Sequence, residues 1–146
     1  MGIGAVSVRH AGAEDAGAMA GLIVQLGYEV SETEVRDRLA AMGADQGALV
    51  AEQGGEVIGC LTISMTRVLH RPKPVGRISM MVVKEGRRGG GVGRILVEAA
   101  EAELARRGCG LVEVTSNLKR ERAHRFYEGL GYERTSFRFV RDLGKR

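Results

Sequence analysis

One glycine-rich stretch constrains the fold of this sequence more than any other. It joins the apolar run Ile78–Val83, which predicts a buried strand, to Val92–Arg107, an alanine-rich run that predicts a helix. Glycine lets a backbone approach a ligand closely, and the first N–H groups of a helix have no partner within it. The order strand, glycine loop and helix therefore predicts an anion site, and we interpret it as a site for a phosphate-bearing cofactor.

Basic residues surround the same stretch. Lys84, Arg87, Arg88 and Arg94 flank its glycines, and the net charge of +4 suggests attraction to anions. Nucleic acid is a weak alternative ligand, because aromatic residues make up only 4% of the chain and leave little for base stacking. We therefore expect no nucleic-acid partner.

Two common phosphate-binding motifs do not fit the glycine-rich stretch. A P-loop requires Lys and then Ser or Thr after its last glycine, and neither Gly91 nor Gly93 is followed in that way. The dinucleotide fingerprint Gly-x-Gly-x-x-Gly fails because Arg94 or Leu96 stands where its last glycine is required. The pattern that does occur is Arg88-x-x-Gly91-x-Gly93.

The remaining pattern predicts one α/β (α+β) domain over residues 1–146, with a mixed, mostly antiparallel sheet flanked by helices. A turn at Gln53–Glu56 predicts a hairpin, and 66–76 is expected to be a loop. The predicted strands are Val6–Arg9, Ala48–Glu52, Val57–Ser64, Ile78–Val83, Leu111–Thr115 and Tyr132–Phe139, and the predicted helices are Ala13–Leu26, Ser31 to about Met42, Val92–Arg107 and Arg120–Glu128.

Several protein classes are disfavoured by composition. No apolar run approaches the ~20 residues that span a bilayer, so no membrane partner is expected. Met1–His10 lacks the pattern of a signal peptide. Cys60 and Cys109 are expected to be free thiols of a cytoplasmic protein, with a disulfide between them as the alternative. No Cys/His cluster has zinc spacing, so no metal is expected.

A second constellation lies about 30 residues downstream of the glycine stretch. Asn117 follows a predicted strand, a short predicted helix carries Ala123-x-x-Phe126-Tyr127, and Gly131-Tyr132 comes next. Together with Arg88-x-x-Gly91-x-Gly93, this segment resembles the signatures of the GNAT superfamily of N-acetyltransferases, which use acetyl-CoA. GNAT domains are also built in the order of elements predicted here.

A narrower resemblance concerns the acceptor. The runs 116–120, 123–127, 131–133 and 137–139 are similar to those of a group that contains the aminoalkylphosphonate N-acetyltransferases, small enzymes that act on primary amines. We take this similarity as an indication that the acceptor is a small-molecule amine.

The resemblance implies a set of cofactor-binding residues. The pyrophosphate would lie on the N–H groups from Arg88 to Arg94, and the pantetheine arm would pair with the fourth strand through Met81 and Val83. The N–H near Met81 would then be an oxyanion donor. Asn117 would cap the next helix, bind the cofactor, or both. The expected cofactor-binding residues are Met81, Val82, Val83, Arg88, Gly89, Gly90, Gly91, Val92, Gly93, Arg94 and Asn117.

Two residues are candidates for catalysis. Tyr127 would protonate the leaving thiolate, because the ordinary pKa of tyrosine, roughly 10, is close to that of an alkyl thiol; filling the core is its alternative role. Many relatives carry a glutamate base on the fourth strand, but Arg77–Met81 contains no acidic residue. A water chain, His70 or a remote carboxylate remain as the base, and we select His70, although an exposed loop histidine is the competing interpretation.

The sequence is thus expected to encode an acetyl-CoA-dependent N-acetyltransferase that moves an acetyl group directly to a primary amine of a small molecule. A non-catalytic acyl-CoA-binding or sensor module is the alternative that the absent carboxylate favours, and a protein N-acetyltransferase is another. A homodimer is possible through edge strands near Phe137–Val140.

Overall fold

The computed structural model describes residues 5–115 and 121–145, which divide into two compact units between Val114 and Thr115. The first unit contains a five-stranded sheet and most of the helices. Its elements are β1 (Ser7–His10), a 3-10 turn (Ala13–Asp15), α1 (Ala16–Leu26), α2 (Glu32–Ala40), β2 (Gln46–Gln53), β3 (Glu56–Thr66), β4 (Val75–Val83), α3 (Val92–Arg106) and β5 (Leu111–Val114). The second unit contains α4 (Glu121–Gly129) and a 3-10 turn (Leu143–Lys145).

The strands follow one another in the sheet in chain order, β1-β2-β3-β4-β5. The first four are antiparallel neighbours, whereas β5 is parallel to β4 and is reached through α3. A parallel pair requires such a crossover, while an antiparallel pair can be joined by a tight turn. Gly54 and Gly55 form that turn between β2 and β3 with φ of 59° and 80°, which confirms the predicted hairpin.

Helices cover both faces of the sheet. On one face, Met19 and Leu22 of α1 and Val35 of α2 are buried against strand residues that include Val50 and Val82. On the other face, one apolar stripe of α3 is buried. The members of that stripe are Val92, Leu96, Ala100 and Leu104.

Two glycines of the sheet let α3 lie close to the strands. A Cβ atom on Gly59 would stand 3.1 Å from a methyl carbon of Leu96, and one on Gly76 would stand 2.9 Å from a methyl carbon of Leu104. A larger residue at Gly76 would therefore push the helix away from β4.

Ser31 and Glu34 form a capping box at the start of α2. The N–H of Glu34 donates to the hydroxyl of Ser31 at 3.1 Å, and the N–H of Ser31 donates to the carboxylate of Glu34 at 2.9 Å. A helix leaves its first N–H groups without partners, and these two bonds provide partners for two backbone donors at its start.

The prediction of a strand at Tyr132–Phe139 is wrong. Residues 132–142 have no regular structure, and the side chains of Phe137 and Phe139 are 81% and 92% exposed. Alternating aromatic residues suit a strand, but a strand also needs a neighbour for its backbone groups. Within the part of the chain that the structure describes, no strand pairs with this segment.

Other predicted bounds also needed correction. The loop expected at 66–76 is shorter, because Thr66 at the end of β3 pairs with Val75 at the start of β4. The helix predicted from Ala13 opens with a 3-10 turn, and α1 begins at Ala16. A single domain over residues 1–146 stays a prediction. No helix in residues 5–115 and 121–145 has the length and apolar character needed to cross a membrane.

Candidate functional site

One edge of β4 is open over its second half. β5 pairs with β4 only from Val75 to Ile78. Beyond Ile78, β4 continues to Val83 with β3 on one side and with no strand of the described residues on the other. An open strand edge presents backbone groups to which an extended molecule can pair.

The backbone of β4 directs Met81 and Val83 toward the open edge. The N–H of Lys84 donates to the carbonyl of Ile58 at 2.7 Å, so residue 84 faces β3. Backbone direction alternates along a strand, and Val82 therefore also faces β3 while Met81 and Val83 face away. Consistent with this, the carbonyl of Val83 accepts a bond from outside the sheet. This is the orientation that the predicted pairing with pantetheine requires.

A β-bulge interrupts β4 at Ser79. Thr62 of β3 pairs with Met80, and the next residue, Ile63, pairs with Ile78, so Ser79 has no residue opposite it. Bulges re-aim side chains and occur often next to active sites. The hydroxyl of Ser79 lies 2.8 Å from that of Thr62 and also donates to the carbonyl of Thr62 at 3.2 Å.

The loop between β4 and α3 has the conformation that only glycine adopts readily. Gly86, Gly89 and Gly91 have φ of 88°, 85° and 84°, in the left-handed region. Apart from each glycine and its two chain neighbours, no described residue has an atom within 4 Å of where a Cβ would stand on Gly89 or Gly91. The loop therefore presents open backbone rather than side chains, as a phosphate cradle must.

The N-terminus of α3 has unsatisfied donors. Gly91 is the N-cap, no side chain caps the helix, and its first turn contains no acidic residue. The N–H of Ile95 makes the first intrahelical bond, to the carbonyl of Gly91 at 3.1 Å. Residues 92–94 therefore direct N–H groups out of the helix end, where the helix dipole also favours an anion.

The basic residues at the loop divide into two pairs. Lys84 and Arg87 both form ion pairs with Glu56 at the start of β3, and the Lys84 ammonium holds the pKa of Glu56 below its usual range. Arg88 and Arg94 are exposed, and Arg94 lies 3.6 Å from Glu98 along the helix. Glu56 thus offsets one of the two charges of Lys84 and Arg87, and Glu98 lies beside Arg94, so the four basic residues add less net charge at the loop than expected.

A residue of α1 that the sequence did not identify reaches this loop. The Nε2 group of Gln25 donates to the carbonyl of Val83 at 2.8 Å, and its Oε1 accepts from the N–H of Glu85 at 2.8 Å. Gln25 is separated from these residues by about 60 positions, so no local motif could have indicated the contact.

Tyr127 belongs to the second unit. It lies on α4, half-buried, and its ring makes edge-to-face contacts with Phe126 and Tyr132, with ring centroids 5.1 Å and 5.8 Å apart. Burial raises the pKa of the Tyr127 hydroxyl. The group is therefore protonated, and able to donate, over an even wider pH range than an ordinary tyrosine. Asn117 lies outside the described residues.

His70 lies in an exposed turn between β3 and β4. About 20 Å of strand separates Val75, at the start of β4, from Met81. The structure thus places His70 beyond the far end of the strand from the glycine loop, and its role as a base stays a prediction. No Asp or Glu stands between Glu56 and Glu85 in the sequence.

Metal ligands are not gathered anywhere in the described part of the chain. Within residues 5–115 and 121–145, no three His, Cys, Asp or Glu residues form a group that could hold a metal ion. Cys60 and Cys109 are both free thiols, so the alternative of a disulfide is not realised.

Comparison with known proteins assigns the chain to a family. Residues 13–132 match the model of the acetyltransferase (GNAT) family. The chain is 36% identical over 139 residues to aminoalkylphosphonate N-acetyltransferase of Salmonella typhimurium (strain LT2), covering 93% of this chain and 90% of that protein.

Solved structures share the fold. A transcriptional regulator from Bacillus halodurans C-125 is similar with a TM-score of 0.85 and 24% identity, over 95% of this chain and 100% of that one. Glucosamine-6-phosphate N-acetyltransferase from Arabidopsis thaliana is similar with a TM-score of 0.81 and 21% identity, over 95% and 99%. These matches, together with the signatures at the glycine loop, show that the chain belongs to the acetyltransferase (GNAT) family.

Proposed function

We propose that this protein is an acetyl-CoA-dependent N-acetyltransferase that transfers an acetyl group directly to a primary amine of a small molecule. The observation that carries the proposal is the continuity of three features. The open edge of β4 leads into a glycine loop, and the loop leads into the uncapped N-terminus of α3. An extended arm that ends in a pyrophosphate has the shape and charge to follow that path.

The residues of the path fit acetyl-CoA one by one. Met81 and Val83 offer backbone groups to the amides of an extended arm, with Val82 between them facing β3. The N–H groups of the stretch from Arg88 through Gly89, Gly90, Gly91, Val92 and Gly93 to Arg94 receive the pyrophosphate. The exposed guanidinium groups of Arg88 and Arg94 add charge.

Acetyl-CoA supplies an activated acetyl thioester, and the protein has to stabilise the charges that move during transfer. The neutral amine nitrogen forms a bond to the acetyl carbon, negative charge develops on the carbonyl oxygen, the nitrogen gives up a proton to solvent, and the carbon–sulfur bond then breaks. The N–H of Met81 faces the open edge, where it can donate to that oxygen. Tyr127 donates its proton to the departing sulfur and Asn117 supports the cofactor, as the family resemblance implies.

The acceptor amine must lose a proton before it attacks, and β3 and β4 contain no carboxylate near the bulge. We assign the first step of that proton path to water held by the hydroxyl pair of Ser79 and Thr62, which are 2.8 Å apart. His70 remains the alternative base. Replacing His70 by Ala separates the two, since kcat changes only if the imidazole carries the proton.

The acceptor also carries an anionic group in this proposal. The loop between β3 and β4 contains the exposed side chains of Arg67, Arg71 and Lys73, and Arg77 follows on β4, with no acidic residue from Val57 to Lys84. This loop lies at the end of β4 far from Met81, so its charge would steer an anionic acceptor toward the protein by long-range attraction rather than hold it during transfer. The relative from Salmonella typhimurium is named for an acceptor of this kind, an aminoalkylphosphonate.

The test is an assay of free CoA, followed by thiol titration, with acetyl-CoA and a panel of amines. We expect 2-aminoethylphosphonate to be acetylated with a higher kcat/KM than ethanolamine, which lacks the phosphonate. A peptide that contains lysine tests the alternative of a protein N-acetyltransferase. Binding of CoA without turnover of any amine would instead support the sensor module, which the missing strand carboxylate favours.

We also propose that the protein is cytoplasmic and forms a homodimer. Two free thiols are typical of a reducing compartment. The side chains of Phe137, Phe139 and Val140 are apolar and exposed, and a second subunit could bury them. Light scattering of the wild-type chain and of a Phe137→Ser/Phe139→Ser variant tests the homodimer, because only the wild type should have twice the mass of one chain.

A further inference from the structure

We propose that Gln25 is a positioning residue that ends the pairing edge of β4 and holds the first residues of the cofactor loop. The inference rests on the proposed function, since it concerns the path that acetyl-CoA would follow. It starts from the two hydrogen bonds of Gln25, to the carbonyl of Val83 and from the N–H of Glu85, both 2.8 Å long.

The amide of Gln25 takes the place of a strand residue. The carbonyl of Val83 and the N–H of Glu85 flank Lys84, and this is the pair of groups to which a neighbouring parallel strand would bond. Gln25 bonds to both with one side chain. The groups at the open edge that remain for an extended ligand are those before this point, namely Met81 and the N–H of Val83.

This arrangement defines where the ligand must leave the strand. An extended arm can pair along β4 only as far as Val83, because the next pair of backbone groups is occupied. The glycine loop begins immediately afterwards, and its first left-handed residue is Gly86. Gln25 therefore separates the part of the site that pairs with the arm from the part that receives phosphate.

Gln25 is itself held firmly by α1. Met19 and Leu22 of the same helix are buried in the core, with exposed fractions of 1% and 5%. The helix ends one residue after Gln25, at Leu26, and the N–H of Gly27 bonds back to the carbonyls of Ile23 and Val24. A side chain on a closed, packed helix end loses little further freedom when it binds the loop.

The decisive variant is Gln25→Met, which keeps the length of the side chain and removes both polar atoms. Without the amide, the loop starts from a strand end that is no longer fixed. We expect the Kd for CoA, measured by calorimetry on the full chain, to rise roughly tenfold, the loss expected for one to two neutral hydrogen bonds. The KM for acetyl-CoA should rise in parallel, with kcat and the amine KM unchanged.

Two further variants keep the test decisive. Gln25→Glu has the same shape but places a carboxylate oxygen against the carbonyl of Val83, so CoA binding should weaken here as well, even if the Met variant fails to fold. Val24→Leu, at an exposed position on the same helix, is the matched control and should bind CoA like the wild type.

The outcomes separate this inference from the proposed function. If the wild type binds CoA and both Gln25 variants bind it equally well, the positioning role is refuted while the function stands. A fall in kcat with an unchanged KM for acetyl-CoA would refute it too. If the wild type itself does not bind CoA, the proposed function fails first. Amide hydrogen exchange at Glu85 should be faster in Gln25→Met than in the wild type, and equal exchange rates would contradict the contact.

Discussion

The hydroxyl oxygens of Thr62 and Ser79 lie 2.8 Å apart across the register shift between β3 and β4. Ser79→Ala should lower kcat/KM for the amine roughly tenfold while the KM for acetyl-CoA stays constant, because the variant removes one of the two hydroxyls that hold water on the proposed proton path. Initial rates at varied amine and saturating acetyl-CoA measure the effect.

Thr62→Val provides the matching half of a double-mutant cycle. If the two hydroxyls act as one unit, the double variant should be no slower than either single variant. Additive losses would contradict a shared role. If Ser79→Ala reacted at the wild-type rate, Ser79 would have no part in acetylation of the amine.

Gly91→Asp should abolish the rise in melting temperature that CoA causes. A carboxylate at the N-cap of α3 would occupy the region that the pyrophosphate needs and would repel it, and its Cβ would block the open backbone. Differential scanning fluorimetry with and without CoA provides the measurement. Gly54→Asp is the control, because Gly54 also has a positive φ and open space around it, but lies in the β2–β3 turn. Equal shifts in both variants would contradict the assignment.

Tyr127→Phe should lower kcat roughly a hundredfold, within the range of general acid catalysis, and leave the Kd for CoA nearly unchanged. Because burial raises the pKa of Tyr127, the wild type should keep its acid protonated as the pH rises through the usual tyrosine range. The measurement is kcat against pH. Tyr132→Phe, which preserves the ring contact with Tyr127, is the control. Undiminished kcat in Tyr127→Phe would assign that residue to packing alone.

Glu103 on α3 should make the stability of the fold depend on acid pH. Burial by itself would raise the pKa of Glu103, but the hydrogen bond from Arg107 and the charges of Arg107, His10 and Arg106 lower it below its ordinary value. A carboxylate with a lowered pKa stabilises the folded state above the ordinary value, and this stabilisation disappears as the pH falls through the folded-state pKa.

The free energy of unfolding of Glu103→Gln should therefore be about 1–3 kcal/mol lower than that of the wild type at neutral pH. The difference should narrow in acid, where the wild-type carboxylate is also neutral. Urea unfolding at both pH values tests this, and a difference that does not change with pH would contradict the role of the charge.

The parts of the fold that could be predicted from sequence are those with local causes. The stripe from Val92 to Leu104 follows from helical periodicity, and the loop before it follows from a run of glycines, which disfavours both helix and strand. The prediction of a strand at 132–139 was wrong because an alternation of apolar and polar residues indicates which side chains a strand would bury, but does not provide the neighbouring strand that its backbone needs.

The parts of the site that could not be predicted depend on contacts between distant residues. Lys84 and Arg87 point to Glu56 because the β3–β4 register brings it beside them, and the one-residue offset at Ser79 is not visible in a pattern of apolar and polar residues. Gln25 approaches Val83 only after α1 has packed on the sheet.

The order of the strands in the sheet has a consequence for folding kinetics. β2, β3 and β4 are consecutive antiparallel neighbours within residues 46–83, so this meander closes through short chain segments, whereas β1 and β5 join it only after longer loops have closed. Short loop closures are the least costly in entropy and the fastest. We therefore expect the meander to form in the folding transition state, and the glycine loop to acquire its shape later, when α1 and α3 dock on either face.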